Sequence, residues 1–199
     1  MSPGPCKQFD PERALEEAMA VFARRGFEGA SLAELTEAMG IGKKSLYDTF
    51  GNKRALFLQS VRHYSQRSVA QIRSRLFKPG SRSIYQNLRE LLDEWRDSHG
   101  KPGSQGCLLG TTIADFDTSD REVAEALRLG LKQIEDAFTE ALDQARRDGE
   151  IRPDASTRDL ARALLCISQG VALLGRVMET GEVLDSALEV TAAQVLRGQ

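Results

Sequence analysis

The break Gly40-Ile41-Gly42 separates two short helical patterns, and it restricts the fold more than any other feature of the chain. Before the break, residues 31–39 carry apolar side chains at helical spacing. After it, Leu46 and Phe50 lie four residues apart, on one face of a helix. Buried Leu35, Ile41 and Leu46 would tie the two helices together, and a tight turn excludes bulk, which explains the glycines. The pattern predicts a helix-turn-helix over residues 31–50.

The second of these helices leaves its polar side chains outside when Leu46 and Phe50 face inward. The outward side chains are Lys43, Lys44, Ser45, Tyr47 and Thr49. In a helix-turn-helix, the second helix enters the major groove by its N-terminal end, where polar groups meet base edges. The free amides and the dipole of that helix end also favour phosphate. We therefore predict sequence-specific binding to double-stranded DNA.

The distribution of charge supports this prediction, although the net charge of −2 is unusual for a nucleic-acid-binding protein. Residues 42–89 contain eleven Lys and Arg and a single acid, Asp48, for a local charge of +10. A basic block on an acidic body is typical of a protein that binds a polyanion. The alternative interpretation is a set of solvated helix faces.

Apolar residues keep a helical spacing along nearly the whole chain, and no segment has the alternation of a strand. Asp10-Pro11 begins the first helix, Gly26 ends it, and Ser31 with Glu34 forms a capping box for the second. Later helices are expected near residues 52–76, 83–98, 119–147, 156–179 and 185–196, with a further segment over residues 107–116. The fold class is all-α.

Several other classes of protein are not expected. No run of apolar residues is long enough to span a membrane, and residues 1–7 lack the apolar core of a signal peptide, so a cytoplasmic location is expected. No nucleophile–base motif or glycine-rich phosphate loop occurs, so no enzyme is expected. The cysteines and histidines are too scattered for a metal or cofactor site, at Cys6, Cys107, Cys166, His63 and His99.

The segment SLAELTEAMGIGKKSLYDTFGNKRALF, which begins at Ser31, resembles the DNA-binding domain of TetR/AcrR transcriptional regulators. The matching features include Gly26, Gly40, the Leu46-Tyr47-x-x-Phe50 core and Lys53-x-x-Leu56. The likeness is close over roughly the first 60 residues and only general in helical plan after them. It implies a homodimeric regulator, usually a repressor, that a small-molecule effector releases from operator DNA.

The resemblance implies a domain plan and roles for individual residues. A flexible N-terminus (1–9) precedes a three-helix helix-turn-helix domain (10–55), and a long helix joins it to a ligand-binding and dimerisation domain (56–199). Ser31, Tyr47 and Lys53 stand where the family contacts phosphate, and Lys43, Lys44 and Ser45 where it reads bases. Thr49 and Gly42 depart from the family's frequent His and Ser, so the operator sequence stays open.

Each of these residues also has a plainer interpretation. Tyr47 could pack half-buried on the first helix, and Lys43, Lys44 and Lys53 could be ordinary solvated lysines. Asp48 would repel phosphate, so it is expected to face a base or a cation within the chain.

Residues 160–177 carry more apolar side chains than one helix face can hold. They form either a fully buried central helix of a monomer or the interface of a dimer, which is favoured because a helix-turn-helix usually reads two half-sites. The expected interface residues are Leu164, Ile167, Val171, Leu174, Met178 and Leu188.

The effector pocket is expected to include Trp95, Cys107, Phe116 and Phe138, although each of the four could be ordinary core. Two alternatives remain open for the function. Cys107 could be a thiol that senses oxidants or electrophiles on the same scaffold, or the chain could be a helical interaction adaptor without DNA binding.

Overall fold

The computed structural model describes residues 9–81, 83–99, 106–115, 120–177 and 181–196. Every regular element in these ranges is an α-helix, which confirms the predicted fold class. The helices are α1 (Pro11–Gly29), α2 (Leu32–Ala38), α3 (Lys43–Phe50), α4 (Lys53–Leu76), α5 (Ile84–His99), α6 (Leu108–Asp115), α7 (Arg121–Arg147), α8 (Thr157–Leu174) and α9 (Gly181–Leu196). Apart from Phe9, the segment predicted to be flexible lies outside the described residues.

The first three helices and the start of α4 share one core. Phe22 and Leu46 are fully buried in it. The ring of Phe57 on α4 meets the ring of Phe22 edge-on, with centroids 5.0 Å apart, and meets Phe27 at the same distance. Because Phe57 belongs to this core, the first turns of α4 pack as part of the helix-turn-helix domain.

Local capping sets the ends of α1 and α2. The carboxylate of Asp10 accepts hydrogen bonds from the amides of Glu12 and Arg13, and the hydroxyl of Ser31 accepts one from the Glu34 amide at 3.1 Å. Gly26 kinks α1 with φ of 70°, but the helix, which was predicted to end there, continues to Gly29. Only half of the predicted capping box forms, because the Glu34 carboxylate accepts a hydrogen bond from Arg25 Nε at 3.0 Å instead of turning back to Ser31.

The body is built around α4 and α7, which pack along each other, and α8 covers the other side of α7. At one point the two helices approach so closely that a Cβ on Gly130 would collide with the hydroxyl of Ser65. The hydroxyl of Thr111 on α6 donates to the carbonyl of Ala23 at 3.2 Å, which ties the end of α1 to the body. The boundary predicted after residue 55 falls inside α4, so one continuous helix belongs to both parts.

A glutamate from the turn between α7 and α8 caps the start of α5. The Glu150 carboxylate accepts hydrogen bonds from the Ser83 hydroxyl at 2.7 Å and from the amides of Ile84 and Tyr85 at 3.1 and 2.9 Å. These contacts satisfy orphan amides of the first turn of α5.

Three predicted helix limits differ from the structure. The helix expected to reach residue 179 ends as α8 at Leu174, and the last helix begins at Gly181, before the expected residue 185. Asp120 caps α7, whereas Ser119, the expected start, lies outside the described residues. Over the described part of the chain, no helix is both long and apolar enough to cross a membrane.

Candidate nucleic-acid interface

The turn between α2 and α3 is closed by backbone hydrogen bonds. The amide of Ile41 donates to the Thr36 carbonyl at 3.1 Å, and Gly40 adopts φ of 64°, a left-handed conformation that suits glycine. Leu35 and Leu46 are fully buried beneath the turn. This seam fixes which face of α3 points outward.

The outward face of α3 matches the prediction in its main residues. Lys43, Lys44 and Tyr47 are exposed, while Ser45 and Thr49 are half-buried. Tyr47 is 48% exposed, which leaves its ring and hydroxyl open to a ligand instead of buried on α1. Gly42 caps α3 without a side-chain hydrogen bond, so the amides of the first turn remain available to an anion.

The charges around α3 are only partly free. Lys44 Nζ lies 3.2 Å from Asp48 Oδ2, so Asp48 faces an intramolecular cation, one of the two outcomes expected for it. Among the described residues Lys43 has no ion-pair partner. Lys53 is half-buried, with Nζ 4.6 Å from the centroid of the Phe27 ring and 3.5 Å from the Glu28 carbonyl oxygen. These contacts hold the ammonium group of Lys53 at the end of α1.

The basic block of residues 42–89 is partly neutralised by acids from elsewhere in the chain. Six of its cations pair with acids from other helices or loops: Arg54 with Asp120 and Glu122, Arg62 with Glu122, Arg67 with Glu16, Arg73 with Glu140, Arg75 with Glu94, and Lys78 with Glu90. The partners are remote in sequence, so a count along the chain could not detect them. The positive charge of these six side chains is therefore partly offset within the chain, although each keeps a third or more of its side chain exposed.

Arg54 pairs with two acids at once. Its Nη2 lies 2.8 Å from Asp120 Oδ1, and its Nη1 lies 2.6 Å from Glu122 Oε2. The hydrogen bonds from Arg54, and then the Val123 amide, hold the pKa of Asp120 below its usual range. The network joins the start of α4 to the start of α7.

A cavity of about 520 Å³ lies between α1, α4, α5, α7 and α8. Trp95 and Cys107 both line it. Phe138 is fully buried behind Trp95, edge-on to its ring at 5.9 Å, so it supports the wall and does not line it. Phe116 lies outside the described residues.

Cys107 has a polar neighbour in this cavity that sequence reasoning missed. The hydroxyl of Tyr64 donates to Cys107 Sγ at 3.4 Å. Burial, followed by the proximity of Cys107, raises the pKa of Tyr64 well above its usual value. The wall also includes Glu16 and Met19 of α1, which the sequence analysis did not consider, because nothing local indicates that α1 reaches the body.

The structure corrects part of the predicted dimer interface. Leu164 and Val171 are only 2% and 6% exposed within the single chain, because the face of α8 that carries them packs on the body. Leu174 is exposed and Ile167 is half-buried. Met178 lies outside the described residues, as does the side chain of Leu188. Four further apolar side chains are exposed on or just after α8 and on α9: Leu173, Val177, Val183 and Val190.

Comparisons with known proteins agree over most of the chain. Residues 14–59 match the family described as bacterial regulatory proteins, tetR family, and residues 85–191 match the tetracyclin repressor-like C-terminal domain. The uncharacterized HTH-type transcriptional regulator YezE of Bacillus subtilis (strain 168) is 32% identical over 187 residues, covering 93% of this chain and 95% of YezE. The HTH-type transcriptional repressor ComR of Escherichia coli (strain K12) is 30% identical over 176 residues, covering 88% of this chain and 83% of ComR.

A solved structure with the same fold contains DNA. It is a cysteine mutant of the TetR family transcriptional regulator CifR in complex with a 26-bp double-strand operator, 30% identical to this chain. The TM-score is 0.77, with 94% of this chain and 98% of the CifR chain covered.

Proposed function

We propose that this chain, which belongs to the TetR family of bacterial regulatory proteins, is a homodimeric repressor that binds operator DNA through α3 and releases it when a small molecule occupies the cavity. The protein is a DNA-binding transcriptional regulator by its family. Repression is proposed because ComR is a repressor and CifR was solved on operator DNA. A regulator of this kind acts on DNA in the cytoplasm and needs no catalytic activity.

One observation supports DNA reading most directly. Lys43, Lys44 and Tyr47 stand exposed at the start of α3, while Leu46 and Phe50 hold the opposite face of the helix in the core. We propose that Lys43, Lys44 and Ser45 read base edges, with Thr49 beside them, because side chains at the N-terminal end of such a helix reach the major groove. Half-buried Ser45 and Thr49 would contribute less than the two lysines.

The phosphate contacts are proposed for Ser31, Tyr47 and Lys53. The hydroxyl of Ser31 already caps α2, so its contribution would come from the neighbouring amides of the helix end. Lys53 would have to leave its position over the Phe27 ring, or reach phosphate from it. We therefore expect a smaller loss of affinity from replacing Lys53 than from replacing Tyr47.

The dimer is proposed to form through the exposed apolar side chains of α8 and α9. Val177, just after α8, is 80% exposed, and Leu174 on α8 and Val190 on α9 are exposed as well. Exposed apolar surface of this kind is typical of a protein–protein interface. Two helix-turn-helix units related by a two-fold axis would reach half-sites about 34–36 Å apart.

The test of DNA binding begins with footprinting on the DNA upstream of the chain's own gene, followed by anisotropy titration of the protected fragment. The double variant Lys44→Ala/Tyr47→Phe is expected to lose specific binding and to show a shallower salt dependence. Lys132→Ala is the matched control, because Lys132 also forms an i,i+4 ion pair with an aspartate, but on α7. Unchanged affinity and salt dependence in the double variant would rule out α3 as the reader.

A second candidate function rests on Cys107. Its thiol is buried at 6% exposure, lines the cavity and accepts a hydrogen bond from Tyr64, so an electrophile small enough to enter would meet it. A Cys107→Ser variant would then bind DNA normally, take up one N-ethylmaleimide fewer than the wild type by intact mass because Cys6 and Cys166 remain, and keep its DNA affinity after treatment. An equal response in both proteins would exclude Cys107 as a sensor. The interaction-adaptor alternative has no supporting observation in the described residues.

A further inference from the structure

The cavity is walled by the DNA-binding domain as well as by the body. α1 contributes Glu16, Met19, Ala20 and Ala23 to the lining, and α4, α5, α7 and α8 form the remaining sides. An occupant of this space therefore contacts the first helix of the helix-turn-helix unit directly. Binding of a ligand in the cavity can therefore affect α1 directly, without a displacement of α4.

Among the residues that the structure describes, one ion pair joins α1 to α4 across the cavity wall. Arg67 Nη1 on α4 lies 2.7 Å from Glu16 Oε1 on α1, and both residues line the cavity. The two side chains are 48% and 44% exposed, so water screens their attraction, and such a pair is weak. A weak contact at this place can be exchanged for another.

Arg67 favours an anion over a cation as the competing group. Its contact with Glu16 uses one N–H of the five that a guanidinium carries, and the planar guanidinium can bind a carboxylate through two. Arg75 also lines the cavity from α4, where it pairs with Glu94 of α5, which lines the cavity too. Gly106 and Cys107 bring the N-terminal end of α6 to the same wall, and the dipole of that end adds a partial positive charge.

The remainder of the lining is suited to an apolar body. Met19, Ile72, Leu91, Trp95, Ile134 and Val171 line the cavity from five helices. The volume of about 520 Å³ falls in the range of small-molecule pockets, roughly 300–1,000 Å³. A ligand with a carboxylate at one end and an apolar body would match both Arg67 and the apolar lining.

We infer that the Glu16–Arg67 ion pair couples this cavity to the DNA-binding domain, and that the occupant is a small organic anion whose carboxylate replaces Glu16 on Arg67. The inference rests on the proposed function, and it specifies the chemical class of the effector and the contact that transmits its binding. When the ligand takes Arg67, α1 loses one of its ties to α4. The position of the helix-turn-helix relative to the body then shifts in population.

The binding half of the inference is tested with three probes of equal chain length: octanoate, 1-octanol and octylammonium. Trp95 is the single tryptophan of the chain and lines the cavity, so its fluorescence reports occupancy without DNA. Octanoate is expected to shift the emission at lower concentration than the other two probes. Arg67→Gln is expected to weaken octanoate binding about tenfold or more. Arg73→Gln, which breaks an ion pair of α4 outside the cavity lining, is the matched control and should bind octanoate normally.

The coupling half is tested with Glu16→Gln, which removes the competing carboxylate and keeps the guanidinium. This variant is expected to bind octanoate more tightly than the wild type, by Trp95 fluorescence. Its operator affinity without ligand should equal that of the octanoate-saturated wild type, and octanoate should change it no further. A Glu16→Gln protein whose operator affinity still responds fully to octanoate would overturn the coupling.

The remaining outcomes separate this inference from the proposed function. Preferential binding of octylammonium, equal octanoate binding by Arg67→Gln, or no response of Trp95 to octanoate would overturn the ligand class while ligand-free DNA binding stands. Failure of the ligand-free wild type to protect any DNA would instead refute the proposed function.

Discussion

Replacement of Asp48 by alanine is expected to tighten operator binding, although the residue lies on the DNA-reading helix. Lys44 and Asp48 form an i,i+4 ion pair with side chains 92% and 64% exposed. DNA binding through Lys44 must give up that pair, which contributes roughly 0.3–0.5 kcal/mol in an exposed helix. A carboxylate about 8 Å from a phosphate adds a repulsion of about 0.5 kcal/mol at the dielectric constant of water.

Together the two effects amount to about 1 kcal/mol per chain and about 2 kcal/mol for a dimer on two half-sites, or roughly 30-fold in affinity. The assay is fluorescence anisotropy with the footprinted operator across a salt series, because the gain should shrink as salt screens the charges. Asp136→Ala, which breaks the similar Lys132–Asp136 pair on α7, is the control and should leave affinity unchanged. Weaker binding by Asp48→Ala would mean that the carboxylate accepts a hydrogen bond from a base, and would refute the electrostatic reasoning.

Three further predictions concern stability. Glu150→Ala removes the acceptor for the first amides of α5. The free energy of unfolding should fall by about 1–2 kcal/mol and the melting temperature by about 2–8 °C. An unchanged melting curve would show that water replaces the cap. Because Arg54 lowers the pKa of Asp120, the pair stabilises the fold above the ordinary aspartate pKa of about 4, and this contribution disappears as the pH falls through the lowered value. Urea midpoints of wild type and Arg54→Gln should therefore converge in acid, and a constant gap would contradict the assignment. Gly26→Ala forces a side chain into φ of 70° and against the Asp115 carboxylate, so a clear fall in the urea midpoint is expected, with Gly42→Ala as the milder comparison.

Features with short-range causes were predictable from the sequence. The caps at Asp10 and Ser31, the kink at Gly26 and the exposed face of α3 follow from residues three or four positions apart. The prediction for Tyr47 followed in the same way, since Leu46 and Phe50 already fill the inner face.

Features that join distant segments were not predictable. The acids that neutralise α4 come from α1, α5 and α7, and the cap of α5 comes from Glu150, far along the chain. Leu164 and Leu174 are equally apolar, so the sequence predicted both as interface residues. Only the packing of α8 on the body shows that Leu164 is buried and Leu174 is exposed. Trp95 and Cys107 do share a cavity, yet the role of Glu16 in its wall depends on how α1 docks.

The close crossing of Gly130 and Ser65 would be the pivot of any tilt of α4 against α7. From Ser65 to the start of the helix at Lys53 the arm is about 18 Å long, at 1.5 Å of rise per residue. A tilt of roughly 10° about the crossing would carry the helix-turn-helix about 3 Å, and two arms swinging in opposite senses would change a half-site spacing of about 34–36 Å by about 6 Å. Because the glycine has no side chain to hold the two helices apart, such a tilt would turn a small rotation in the body into a larger displacement at the DNA.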